Sequence, residues 1–205
     1  MIYTVAALSA LAQRCAPDVA SEALVPLVVA ESGGDPLRIN VNKGPRVRAK
    51  SLAEATGLVR RYVTAGYSVD IGLAQINSRN LARLGVSIEE TFDPCTNLAL
   101  ASSVLQEGYA KASQFYSGLD AISVTYSLYN TGSMTRGFDN GYVRRVWSAA
   151  AMIGAIKAHP ALAGPSLTGP SPLPSIETQA ASAPAAQQPE QWVFGQVNSS
   201  IEVFQ

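Results

Sequence analysis

Histidine and cysteine are nearly missing: the chain holds one His and two Cys in 205 residues. Two thiols cannot complete a metal site by themselves, and His159 lies in a proline-rich neighbourhood, so a metal site is not expected. Charge is sparse as well, since Asp, Glu, Lys and Arg make up 15% of the chain and cancel to a formal net charge of zero. Basic residues stop at Lys157. Up to that point fifteen Lys and Arg face twelve acids, a net +3, and beyond it stand only Glu177, Glu190 and Glu202. So small a bias, without a basic helix or an aromatic-rich strand, argues against nucleic acid as a partner. Long apolar runs are also lacking, and nothing approaches the roughly 18–20 residues that cross a bilayer.

What the chain does have is apolar bulk, 47% of its residues, enough for one domain with a real core and an appendage. The stretch Met1 to Cys15 superficially resembles a signal peptide, but it lacks a basic n-region and carries Arg14 where a cleavage site would fall. Val5, Leu8, Leu11, Ala12 and Cys15 instead recur at helical spacing, so this stretch reads as the first helix of the domain. Its export route is left unexplained on that reading.

Further along, Ser21 is a candidate N-cap for an apolar helix that Gly33-Gly34 and Pro36 bring to a stop. Leu37 to Gly44 reads as loop or a short hairpin, and Arg46-Val47-Arg48 as a short extended strand. A helix opens at Ser51 and runs to about Ala65; Tyr67 to Asn77 then breaks the helical pattern. Asn77 or Ser78 caps a short helix ending at Gly85, and Ser87 to Glu90 has capping-box spacing. Asp93-Pro94 is a strong start for a long helix to about Tyr116. Two more are expected, from Asp120 to Tyr129 and from about Asn140 to Lys157. The pattern is that of a mainly α domain, residues 1–157, with at most one small β-hairpin.

Composition changes after His159. Seven of the twelve prolines fall between Pro160 and Pro189, among Ala, Ser and Gln. Such a stretch has too little apolar bulk to offset its ordering entropy, so 158–205 is read as a disordered Pro/Ala/Ser-rich linker with an apolar end. That end, Trp192-Val193-Phe194 and Ile201 to Phe204, reads either as a segment that orders on a partner or as an ordinary unfolded terminus. Cys15 and Cys95 each sit beside a proline-marked element end. A disulfide between them would close a loop of about 80 residues and contribute up to ~4–5 kcal/mol in an oxidising compartment. Two buried free thiols are the alternative.

Glu31 is the most informative residue. At 3.6 residues per turn it shares a face with Leu24, Leu27 and Val28, a face that belongs in the core. It also sits at the helix C-terminus, where the backbone dipole favours cations. Both surroundings oppose ionisation and push its carboxyl pKa upward, which is what a general acid near neutral pH requires. The bland alternative is a glutamate in a frayed last turn, pointing at solvent.

Three further segments put amide or phenol groups at element ends: Gly72-Leu73-Ala74-Gln75-Ile76-Asn77 after Asp70, Tyr129-Asn130-Thr131-Gly132, and Gly141-Tyr142-Val143. Singly, each is ordinary turn and capping chemistry. Together with Glu31-Ser32-Gly33-Gly34-Asp35-Pro36, in this order and spacing, they resemble the lytic transglycosylase domain of the lysozyme-like superfamily over about residues 5–150. Phe92 to Leu98 and Arg136-Gly137-Phe138 resemble in particular the VirB1-like transglycosylases of type IV secretion systems. The resemblance implies a lysozyme-like (α+β) domain acting on peptidoglycan glycan strands in the bacterial periplasm, without a cofactor. It implies Glu31 as sole catalytic acid/base and Ser32 as its accompanying serine. Gln75, Asn77, Tyr129 and Asn130 would line the sugar cleft, and Tyr142 would orient Glu31 by a hydrogen bond. Channel or pilus subunits are the implied partners of the tail. One departure is Ala74, where the family usually has Met; its loss should loosen an apolar wall of a sugar subsite.

Two other functions are carried forward. A hydrolytic muramidase would need a second acid to activate water, for which Asp70 and Asp35 are the candidates near the motifs. A non-catalytic assembly factor would bind peptidoglycan or channel subunits without cleaving anything.

Overall fold

The computed structural model describes residues 2–157; the linker and apolar end read at 158–205 lie outside the described residues. Helix α1 (Val5–Cys15) buries Leu8 and Ala12 and is capped by Thr4, whose hydroxyl accepts from the Ala7 N–H. Its expected stripe is narrower than the spacing suggests, because Val5 is exposed. Helix α2 (Ser21–Ser32) is buried from Ala23 through Val28. Ala20, not Ser21, is its N-cap and supplies no side-chain bond; Ser21 is the first helical residue and donates to Glu22 instead. At the other end Gly33 adopts φ 65° and closes the helix with a bond to the Val29 carbonyl.

Between α2 and the long helices lies a small antiparallel sheet. Strand β1 (Ile39–Val41) pairs with β2 (Val69–Ile71), which pairs with β3 (Ile76–Asn77). The hairpin therefore falls in Val69–Asn77, the segment read only as a break in the helical pattern, and gains a third strand, β1, from the Leu37 to Gly44 segment. Residues 46–48 form no strand. Helix α3 (Leu52–Thr64), capped by Ser51, lies between β1 and β2 in the chain. Ile39, Val41, Val69 and Ile71 point into the core, so Asn40, Asp70 and Asn77 occupy the opposite face by the period of two.

A 3₁₀ turn (Ser78–Asn80) capped by Asn77 leads to α4 (Leu81–Leu84), which Gly85 ends. The Ser87–Glu90 capping box starts α5 (Ile88–Thr91) as expected. Asp93 caps α6 (Pro94–Ala112), with Pro94 at the first helical position. The final segment divides into α7 (Gly118–Thr131), α8 (Arg136–Asp139) and α9 (Tyr142–Met152), so the helix expected over 140–157 is shorter and preceded by a separate turn of helix. Helices α6 and α7 pack together, as do α2 and α9, and α1 contacts both α2 and α6. Tyr126 of α7 reaches across to donate a hydrogen bond to the Ala23 carbonyl of α2 (3.1 Å). Cys15 and Cys95 form a disulfide, tying the end of α1 to the start of α6 with Cα atoms 5.1 Å apart.

Candidate active site

Glu31 owes its surroundings to where α2 stops. The helix is apolar through the core, and Gly33 ends it two residues after the acid. The carboxyl is therefore half-buried at a helix C-terminus and faces a cleft of about 510 Å³. Tyr142, the first residue of α9, donates its phenolic hydrogen to Glu31 Oε1 at 2.5 Å. Burial pushes the Glu31 carboxyl up to about 7 from its ordinary 4.5. The Tyr142 hydrogen bond pulls the other way, the negative charge of Asp70 raises it further, and Arg145 lowers it. Burial, and then the Glu31 charge, hold the Tyr142 phenol well above its usual range, so it stays a donor. A carboxyl balanced near neutrality, in a cleft, can give a proton and take it back.

The sheet supplies the second wall. Asp70, Gln75 and Asn77 line the cleft together with Asn42 and Ser68. Asn77 is a scaffold as well as a lining residue, since its amide donates to Asp70 (2.5 Å) and Ser68 (2.7 Å). Tyr129, Asn130 and Gly132, at the end of α7, supply the third wall.

Gln75 lies at the bend between β2 and β3 with φ 54°, a left-handed conformation rare for a residue with a side chain. Such strain costs on the order of 1–3 kcal/mol and persists only where neighbours over-determine it. Four residues do so. Gln75 Nε2 donates to the carbonyls of Gly72 (2.9 Å) and Arg38 (3.2 Å). The Ala74 N–H donates to Asn97 Oδ1 (2.7 Å), and the Ala74 carbonyl accepts from the Tyr129 hydroxyl (2.8 Å). Asn97 Nδ2 holds the carbonyls of Ile71 (3.0 Å) and Thr91 (2.8 Å). Gly72, at φ 77°, makes room for this amide: a Cβ there would come within 2.5 Å of Asn97 Nδ2.

The structure thus brings Glu31, Gln75, Asn77, Tyr129 and Asn130 to one cleft and puts Tyr142 behind the acid. Ser32 does not line that cleft. Its hydroxyl donates to the Val28 carbonyl and accepts from the Gly34 N–H, so it serves the helix terminus. Asp35 is likewise spent locally, accepting from the Leu37 N–H. Ala74 is fully buried and is not among the cleft-lining residues, so position 74 acts through its backbone. Sequence reasoning missed Asn97, although a polar residue on the buried face of α6, among Leu98 and Ala101, was a visible signal. It also missed Asn40, Asn42 and Arg145, which carry no local signature.

Residues 9–147 match the family described as the transglycosylase SLT domain. The chain belongs to this transglycosylase family. The transglycosylase domain is 39% identical to Protein virB1 of Rhizobium radiobacter over 141 residues, 68% of this chain and 59% of that protein. It is 35% identical to the type IV secretion system protein virB1 of Brucella abortus, over 68% of this chain and 62% of the relative. The matched part of the chain therefore spans about three fifths of these relatives' length. No solved structure matches it significantly. Every element of the cleft described above, from Glu31 to Tyr142, lies inside the transglycosylase match.

Proposed function

We propose that the chain is a peptidoglycan lytic transglycosylase that breaks the β-1,4 bond from N-acetylmuramic acid to N-acetylglucosamine and leaves a 1,6-anhydro end. The observation that carries this reading is Glu31, a carboxyl held near pH 7 by burial and bonded to Tyr142 in the wall of an amide-lined cleft. Protonated Glu31 donates to the glycosidic oxygen as the bond breaks. The substrate's own 2-acetamido oxygen supports the developing oxocarbenium. Glu31, now a carboxylate, takes the proton of the C6 hydroxyl as that oxygen attacks C1, and no water enters. Proton transfer of this kind supplies roughly 10²–10⁴ in rate. Gln75, Asn77, Tyr129 and Asn130 position the sugar chain.

The names of the Brucella relatives assign them to a type IV secretion system. By that analogy this chain opens the wall locally, in the periplasm, for assembly of such a machine. The catalytic unit is residues 1–157, and the apolar end of 158–205 recruits a channel or pilus subunit. Mass spectrometry of muropeptides released from purified peptidoglycan tests the chemistry. Anhydro products one water lighter than hydrolytic ones are expected, and they should vanish with Glu31→Gln. Hydrated products would make the chain a muramidase; no release by the wild type would leave a binding role alone.

A further inference from the structure

The sheet sets a carboxylate in the middle of a polar row. Register puts Asn40 opposite Asp70 and Asp70 opposite Asn77, all on the face turned away from the core. Asp70 Oδ2 accepts from the side-chain amides of Asn40 (3.0 Å) and Asn42 (2.9 Å), and Oδ1 from that of Asn77 (2.5 Å). Ser68 links the same amides, accepting from Asn77 (2.7 Å) and Asn42 (3.4 Å). Both carboxylate oxygens thus act only as acceptors, the bonding pattern of an anion. Among the described residues no Lys or Arg forms an ion pair with Asp70; the pairs Arg60–Glu89 and Arg83–Glu107 lie elsewhere. An immobilised negative charge, held by neutral dipoles and left unpaired in the cleft that Glu31 also lines, is preorganised to stabilise positive charge there.

We propose that Asp70 is a second catalytic carboxylate, a fixed anion that faces the reacting sugar and stabilises the charge developing at its anomeric carbon. This rests on the glycosidase reading above. Glu31 gives its proton to the glycosidic oxygen, and the C1–O bond breaks with its electron pair leaving on the N-acetylglucosamine O4. Positive charge spreads over C1 and the ring oxygen, where Asp70 acts. The C6 oxygen then bonds to C1 and its proton goes to Glu31. Asp70 begins and ends ionised, gains no bond and moves no proton. Two carboxylates in one cleft, one in apolar surroundings and one held by amides, thereby take the acid and the anion roles.

The test compares wild type and Asp70→Asn on soluble glycan chains, with kcat and KM followed across pH. The variant should lose about 10²-fold or more in kcat with KM changed by only a few-fold, the scale for removing one preorganised electrostatic group. Its alkaline limb should also move to lower pH, because the charge of Asp70 helps Glu31 keep its proton. The other groups that act on Glu31 are unchanged by the substitution: Tyr142 and Arg145 on α9. Tyr129 on α7, whose phenol feels the Glu31 charge, and Arg79, which lines the same cleft, are also retained. A purely structural Asp70 would lower thermal stability but leave the kcat of the folded variant within about tenfold of wild type, and such a result overturns the proposal. Should Asp70→Asn fail to fold, the anion is read with Asp70 intact, in the Glu31→Gln protein. That protein should bind a protonated N-acetyl iminosugar at least about tenfold more tightly than its neutral lactam. Equal binding of the two overturns the proposal. A wild type that releases nothing from peptidoglycan instead overturns the glycosidase reading itself, and this inference with it.

Discussion

Glu31→Gln should make the protein more stable, and increasingly so as pH rises from about 4.5 to about 7. The folded protein holds this carboxyl at about 7, against 4.5 for the ordinary side chain. At about 1.4 kcal/mol for each tenfold change in proton affinity, the difference amounts to about 3 kcal/mol. Below about pH 4.5 the group is neutral both folded and unfolded and contributes nothing. Between that point and about 7 the folded state binds the proton more tightly, so stability falls as pH rises. Above about 7 the folded protein bears the full cost of a buried, ionised carboxylate. Gln keeps the shape and still accepts from Tyr142, but it has no charge to desolvate. Allowing for the open side of the half-buried group, about 2–3 kcal/mol should be regained at pH 8 relative to pH 4. In a domain of this size that corresponds to a Tm difference of roughly 4–12 °C between the two pH values. Paired thermal melts of wild type and variant from pH 4 to 8 measure it. A difference in Tm that stays constant with pH would refute the placement of Glu31 in a desolvating site.

Tyr142→Phe should leave KM nearly unchanged and lower kcat by about tenfold. Because the lost hydrogen bond lowers the Glu31 pKa, the alkaline limb of the rate profile should move to higher pH; a stationary limb counts against the contact. Asn97→Ala removes the acceptor of the Ala74 N–H and the side-chain donor to the Ile71 and Thr91 carbonyls, and should destabilise by about 3–5 kcal/mol in urea titrations. Its activity should also fall at temperatures where circular dichroism still reports a folded chain. Truncation after Lys157 should change cleavage of isolated peptidoglycan by less than about twofold while reducing secretion or conjugation in cells. Loss of cleavage in vitro would move the domain boundary.

Much of the helical framework was legible because its signals are local. Asp93-Pro94, the Ser87–Glu90 box and Gly33 each act within one turn, and each does what its chemistry requires. The unusual position of Glu31 was legible for a related reason, since helical phase and helix end are both set by neighbours in sequence. The sheet was not. Strands of two and three residues are too short to display alternation, and β1 finds its partner only after α3 has intervened. Ser32 enters as the accompanying serine only through the family resemblance, and one step along a helix from Glu31 turns its side chain by about 100°. Tyr129 lines the same cleft as Glu31, but its hydroxyl grips a backbone carbonyl, a contact 55 residues away in sequence. Whether Cys15 and Cys95 pair depended on two helix ends meeting, which no spacing rule contains.

The bend that presents Gln75 borrows its missing hydrogen-bond partners from Asn97, a side chain on another element. In effect an asparagine on α6 plays the part of an absent neighbouring strand. The bend is consequently not a portable cassette: grafted into another scaffold as Gly72 to Asn77 alone, it would lose the amide that shapes it. Evolution meets the same restriction from the opposite direction. One residue inserted between Pro94 and Asn97 would swing this amide about 100° around the helix axis, away from the bend. Genetic lesions at the first turn of α6, which touches no glycan, would then present themselves as lesions of catalysis.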